Sequence, residues 1–93
     1  MQEAWVLRLK YEAKETGMVG DYYFNVDDGE NDWVTDDLQK ATIYPDKERE
    51  IETMKSHDKY MAARYGEDAI RNYGYINMMK NFEFVEVELS DID

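Results

Sequence analysis

The two ends of the chain alternate between apolar and polar residues, which is the pattern of half-buried β-strands. Residues 4–12 predict a first strand whose inward face carries Trp5, Leu7, Leu9 and Tyr11. Residues 82–89 predict a last strand whose inward side chains are Val85, Val87 and Leu89. Both termini are therefore expected to belong to a β-sheet.

Between these strands the pattern predicts a hairpin and one long helix. Residues 22–26 and 33–35 are aromatic or β-branched and flank a polar stretch with an Asp-Gly step, so they predict a hairpin over 22–35. Thr35 can cap the one or two helical turns that follow it. After Pro45, a helix is expected over about 46–65, ending at Gly66, with Asp58 interrupting its apolar stripe of Ile51, Met54, Met61 and Tyr65.

The segment after this helix is harder to assign. Residues 67–72 look helical, whereas residues 73–81 fit neither the helical nor the strand period, so both helix and loop stay open there.

The outward-facing charges of the terminal strands have opposite signs. Arg8 and Lys10 face outward on the first strand, and Glu86 and Glu88 do so on the last. Opposite charges across a β-ladder contribute roughly 0.2–1 kcal/mol per pair, so we expect the two strands to be neighbours. The chain therefore predicts an α+β fold, with an antiparallel sheet of three to five strands and the 46–65 helix packed on one face.

Length and charge narrow the class of protein. Ninety-three residues allow a single domain over 1–93 with a small core. The absence of cysteine excludes disulfides, thiolate zinc sites and a cysteine nucleophile. A net charge of −11 disfavours direct binding to nucleic acid or to an anionic membrane. Neither a leader pattern nor an apolar run of membrane-spanning length is evident, so we expect a cytoplasmic protein.

The sequence contains little that indicates catalysis. The single imidazole, His57, lies between Ser56 and Asp58 on the predicted helix, and adjacent helix residues point apart. We therefore expect a protein that is not an enzyme and has no cofactor. Oxygen-bearing residues over 25–32 do not match the spacing of an EF-hand loop, so a weak, irregular calcium site is the alternative for that stretch.

Acidic residues concentrate in two blocks. Residues 27–37 hold six acids in eleven residues with no base, and the chain after Lys80 is also acidic without a base. The 46–65 helix balances five acids against five bases. Trp33 and the tyrosines at 22 and 23 lie beside the first block and suit the role of aromatic anchors, and the alternative is that Trp33 and one of these tyrosines simply fill the core. The predicted partner-binding residues are Asp27, Asp28, Glu30, Asp32, Trp33, Asp36, Asp37, Glu86 and Glu88.

The chain runs from the strand Trp5 to Tyr11 through an aromatic and acidic hairpin, Tyr22 to Thr35, and then through the segment Leu38 to Tyr44 into a charged helix and a closing strand. This order of elements resembles that of small acidic bacteriophage accessory proteins. Characterised acidic members of that group include anti-CRISPR and anti-restriction inhibitors, some of them DNA mimics. The resemblance implies a non-catalytic inhibitor of a basic host protein such as a nuclease or other DNA-binding protein.

A second function stays open from the residues alone. A small phage structural or assembly protein would associate through an apolar patch near residues 73–79 or through an exposed edge strand, with the acids serving solubility.

Overall fold

The computed structural model describes residues 3–27, 29–31, 33–70 and 74–88. It contains a four-stranded antiparallel sheet in the order β3-β2-β1-β4. The strands are β1 (Glu3–Leu9), β2 (Tyr23–Phe24), β3 (Val34–Thr35) and β4 (Phe82–Glu88). Among the described residues, the longer α-helices are α1 (Lys47–Tyr65) and α2 (Tyr75–Asn81). The predicted α+β class and the adjacency of the terminal strands are confirmed.

β1 is the central strand of the core and is buried on both faces. Ala4 and Val6 on one face are as inaccessible as Leu7 and Leu9 on the other. β1 lies between β2 and β4, so both of its edges are paired, and the burial of both of its faces is not revealed by the alternation along one strand. Tyr11 was predicted to face inward, but it lies in a 3₁₀ turn (Tyr11–Ala13) after the strand and is 84% exposed.

The charge pairing between β1 and β4 differs from the predicted one. Arg8 lies opposite Glu83, and its guanidinium donates two hydrogen bonds to one carboxylate oxygen at 2.9 and 3.3 Å. This contact raises the pKa of Arg8. Glu86 instead lies opposite Trp5. The prediction that the first and last strands are neighbours is therefore confirmed. The predicted charge pairs with Glu86 and Glu88 are wrong, because the register places Val6 opposite Val85 and Leu7 opposite Phe84.

The predicted hairpin is present with very short strands. β2 pairs with β3 through Tyr23 and Thr35 and through Phe24 and Val34. β2 pairs with only part of β1. On the same edge of β1, Trp5 exchanges two backbone hydrogen bonds with Tyr44, at 2.8 and 2.9 Å. The segment before α1 thus ends the pairing of the hairpin with β1.

α1 begins and ends where the sequence predicts. The Asp46 carboxylate accepts the N–H of Arg49 at 3.2 Å, and Gly66 closes the helix with φ +88°. Its half-buried stripe includes Ile51, Met54 and Met61. Tyr65, predicted to belong to that stripe, is exposed because it lies in the last turn, beyond the packed part of the helix. None of the described helices combines the length and the apolar character needed to cross a bilayer.

Asp58, which interrupts the apolar stripe of α1, connects α1 to α2 through hydrogen bonds. It is only 8% exposed, and its carboxylate accepts the N–H groups of Tyr75 at 2.7 Å and Ile76 at 3.3 Å. α2 covers most of the stretch that was left open, and Glu67–Ala69 forms a 3₁₀ turn where a helix was expected. Residues 71–73 lie outside the described residues.

Candidate protein-binding surface

The polar turn of the hairpin carries the first acidic block. Asn25 and Trp33 close the turn through a backbone hydrogen bond of 2.8 Å, and a 3₁₀ turn (Gly29–Asn31) lies between them. The described residues of the block form what we call the acidic hairpin surface: Asp27, Glu30, Trp33, Asp36 and Asp37. Asp28 and Asp32, which were predicted to contribute, lie outside the described residues.

Side-chain hydrogen bonds hold the start of this turn in place. The Asn25 amide oxygen accepts the N–H of Asp27 at 3.0 Å, and the Thr42 hydroxyl accepts the N–H of Val26 at 2.9 Å. The N–H of Thr42 in turn donates to the carbonyl of Phe24 at 2.9 Å. Hydrogen bonds to Thr42 therefore hold the turn against the segment that precedes α1. The described residues of the turn do not themselves pair with β1.

Trp33 occupies the surface and not the core. Its backbone has φ +60°, a left-handed conformation that is uncommon for a large side chain. Its indole lies against Gly29, where an added Cβ would come within 3.2 Å of the indole nitrogen. The side chain is 46% exposed, which excludes the alternative that Trp33 fills the core. A partly supported, partly open indole has the geometry of an interface anchor.

The described acids of the block are all exposed. Asp37 caps a short 3₁₀ turn (Leu38–Lys40) by accepting the N–H of Gln39 at 3.0 Å. Thr35, predicted to be the cap, is a buried strand residue whose hydroxyl accepts the N–H of Asp37 at 3.1 Å. The predicted helical start is thus displaced by two residues, because Thr35 is needed to pair with Tyr23.

The tyrosines beside the block belong to the body of the sheet. Tyr22 and Tyr23 are half-buried, and Tyr23 lies opposite both Arg8 and Thr35. Burial, followed by the nearby charge of Asp21, raises the pKa of Tyr23. Neither tyrosine is as open as Trp33, so the acidic hairpin surface has one principal aromatic side chain.

The second acidic block lies at the other edge of the sheet. Glu86 is exposed and Glu88 is half-buried on β4, whereas the hairpin strand β3 forms the opposite edge. Since neighbouring strands lie about 4.8 Å apart, β1 and β2 separate the two blocks by more than a side-chain length. The fold does not bring Glu86 and Glu88 together with the acidic hairpin surface.

Within the described ranges, no group of three or more acidic or imidazole side chains is arranged to hold a metal ion. Two oxygen-bearing residues of the calcium alternative, Asp28 and Asp32, lie outside those ranges. On α1, His57 is exposed while Asp58 is buried against α2, so the two side chains point in different directions, as expected for adjacent helix residues.

Sequence reasoning missed the structural role of Asp58. The available signal was an acidic residue inside an otherwise apolar stripe, because a carboxylate at such a position must find donors. The donors are the free N–H groups of a second helix, and Gly74 just before that helix was a further hint.

Comparison with protein-family models, with curated proteins and with solved structures finds no match to this chain. The functional proposal below therefore rests on the residues of this chain.

Proposed function

We propose that this protein is a non-catalytic inhibitor that binds a basic nucleic-acid-handling protein through the acidic hairpin surface, in the manner of a DNA mimic. The observation that carries the proposal is the set of exposed acids grouped around a half-exposed tryptophan. The resemblance to small acidic phage proteins adds that the partner is a host-defence protein such as a nuclease.

The density of charge supports mimicry. Duplex DNA presents one negative charge per about 1.7 Å of axis, and residues 27–37 likewise concentrate negative charge, with six acids in eleven residues and no base. A basic groove that binds phosphates would attract such an array from a distance, which speeds association and makes it sensitive to salt.

The half-exposed indole supplies what a purely charged surface lacks. Exposed carboxylates alone contribute little net affinity, because water and salt screen them. Trp33 offers apolar area that becomes buried on binding, and tryptophan is enriched among residues that dominate interface energy. Its contact with Gly29 supports the indole before binding, which lowers the entropy cost of association.

The test is affinity capture from the lysate of a bacterial host, at low and high salt, with duplex DNA as competitor. We expect recovery of a basic DNA-handling protein, lost at high salt and displaced by DNA. A triple variant, Asp27→Lys, Glu30→Lys and Asp36→Lys, should abolish capture.

The matched control reverses three exposed acids elsewhere, Glu12→Lys, Glu52→Lys and Glu67→Lys, which changes the net charge equally. Capture should survive in this control. Equal loss in both triple variants would mean that overall charge and not the hairpin drives binding, and unchanged capture by the hairpin variant would contradict the proposal. A Trp33→Ala variant should weaken capture while leaving its salt dependence intact.

One observation favours a second candidate, an assembly protein that associates through an edge strand. β4 has seven residues and no neighbouring strand on its outer side among the described residues. Leu9 donates its N–H group to Tyr22, away from β4, so its partner Phe82 directs backbone groups to the outer edge. Such an edge can pair with another chain.

The apolar patch proposed near 73–79 receives less support than this edge. Ile76 is 61% exposed, whereas Tyr75, Met78 and Met79 are half-buried. Sedimentation across a wide concentration range tests the self-associating version of the second candidate: a dimer that persists at high salt supports it, and a monomer throughout contradicts it.

A further inference from the structure

A cleft of about 290 Å³ lies between α1, the start of α2 and the sheet. Three aromatic side chains line it, together with one carboxylate and two methionines: Phe24, Tyr44, Tyr75, Glu50, Met54 and Met78. His57 also lines it. Its volume is at the small end of the range of ligand-binding pockets, which begins near roughly 300 Å³, so it suits a compact ligand.

The chemistry of the lining favours a cation. The faces of aromatic rings carry partial negative charge and attract ammonium groups that lie within about 6 Å of the ring centre. Tyr75 already makes such a contact with the chain itself, because the Lys55 ammonium lies 5.6 Å from the centroid of its ring. Lys55 is not among the residues that line the cleft.

Glu50 adds a full negative charge to the same space. Its effect is visible at Tyr44, where burial and then the charge of Glu50 raise the pKa of the phenol to about 12. The neutral phenol and the carboxylate thus lie close enough to interact across the lining. An anionic ligand would meet repulsion here, and a neutral apolar ligand would leave the charge of Glu50 without a partner.

The walls of the cleft are supported before any ligand binds. The Asp58 carboxylate holds the first N–H groups of α2, which positions Tyr75. Gly74 lines the cleft directly, and a Cβ there would lie 2.8 Å from the carbonyl oxygen of Ile70. The rings of Tyr44 and Phe84 meet edge to face at 5.8 Å on the sheet side. A supported site loses less entropy when it binds.

We propose that this cleft binds a small quaternary ammonium compound, with the aromatic rings around the methyl groups and the Glu50 carboxylate neutralising the charge. Methylated ammonium groups suit it better than a primary ammonium, because they are weakly hydrated and leave water at lower cost. This inference is independent of the acidic hairpin surface.

The test uses choline as the probe and its neutral isostere 3,3-dimethylbutan-1-ol as the matched ligand, each titrated into isotopically labelled protein and followed by amide chemical shifts. Choline should shift the signals of cleft residues and bind about tenfold more tightly than the isostere, because the two differ in charge and not in shape. Glu50→Gln should remove most of this preference.

The control variant is Glu48→Gln, which removes one exposed charge from the same helix outside the cleft and should leave choline binding unchanged. Retention of the wild-type pattern of amide signals shows that each variant is folded. Equal binding of choline and its isostere, equal loss in both variants, or no shift in cleft residues would overturn the proposal. Tighter binding of Nα-acetyl-lysine methylamide than of choline would also overturn it, in favour of a lysine side chain from a protein.

Discussion

Two regions of this molecule use aspartate in opposite ways. Around the hairpin turn, Asp27 and Asp36 are exposed and increase the local negative charge. Between the helices, Asp58 is buried, and its carboxylate is satisfied by two backbone N–H groups. The comparison shows that surroundings decide whether an acid contributes a long-range field or local stability.

The two regions therefore respond differently to the same kind of change. Neutralising an exposed acid removes a screened interaction and leaves no group unsatisfied. Removing the Asp58 carboxylate leaves the N–H groups at the start of α2 without an acceptor.

The largest expected effect comes from Asp58→Ala. Two part-buried hydrogen bonds to a charged acceptor are lost and two N–H groups at the start of α2 remain without that acceptor, so the free energy of unfolding should fall by about 3 kcal/mol. Urea unfolding followed by circular dichroism measures this. Asp58→Asn keeps an acceptor oxygen and should lose about half as much, and a loss below 1 kcal/mol in Asp58→Ala would contradict the role assigned to this residue.

A smaller effect is expected from Gly74→Ala. The added Cβ would lie 2.8 Å from both the Ile70 carbonyl oxygen and the Asp58 carboxyl carbon, so the backbone must shift, at about 2 kcal/mol. Gly29→Ala is the matched change in the hairpin, where the nearest atom, 3.2 Å away, belongs to the Trp33 side chain. That side chain can move, so thermal unfolding should show the smaller loss in Gly29→Ala, and the reverse order would contradict the comparison.

Tyr44 extends the comparison to high pH. Its folded-state pKa is about 12, above the ordinary value of 10.0, so the unfolded chain ionises first as the pH rises. The stabilisation that comes from burying the neutral phenol of Tyr44 is complete below about pH 10 and is lost as the pH rises through 12. The free energy of unfolding should fall across this window, and Tyr44→Phe should remove part of the slope. Tyr60→Phe, at an exposed position, should leave the slope unchanged.

The smallest expected effect on stability comes from Asp36→Asn. This exposed acid stands among like charges, so its neutralisation should change the free energy of unfolding by less than about 0.5 kcal/mol. Any gain should shrink in high salt, because salt screens the same repulsion. Urea unfolding at two salt concentrations checks this, and a loss above 1 kcal/mol would show that Asp36 is structural as Asp58 is.

Much of the fold followed from local patterns. The cap at Asp46, the stop at Gly66 and the alternation in both terminal strands each depend on residues within a few positions of one another. The neighbouring strands were also predictable, although for a partly mistaken reason, since Glu83 and not Glu86 pairs with Arg8. The hairpin strands are shorter than predicted, and Tyr44 takes a place beside β1 that the hairpin was expected to fill.

The candidate sites divide in the same way. Charge density is a property of composition along the chain, so the acidic hairpin surface was proposed from sequence. The exposure of Trp33 was not decided there, because it depends on a left-handed backbone and on contact with Gly29. The aromatic cleft had no sequence signal, since Phe24, Tyr44 and Tyr75 come from three distant segments.

The sequence by itself determined the type of α1 and of the two terminal strands, and the sign and distribution of charge, because helical caps, strand alternation and charge act over short separations in the chain. Only the tertiary structure decided which side chains are buried. Asp58 meets the start of α2 seventeen residues later, and β1 is paired at its two edges with β2, which follows it closely in the chain, and with β4 near the other end. Burial and hydrogen bonding between distant segments depend on register and packing, which no single stretch of sequence specifies.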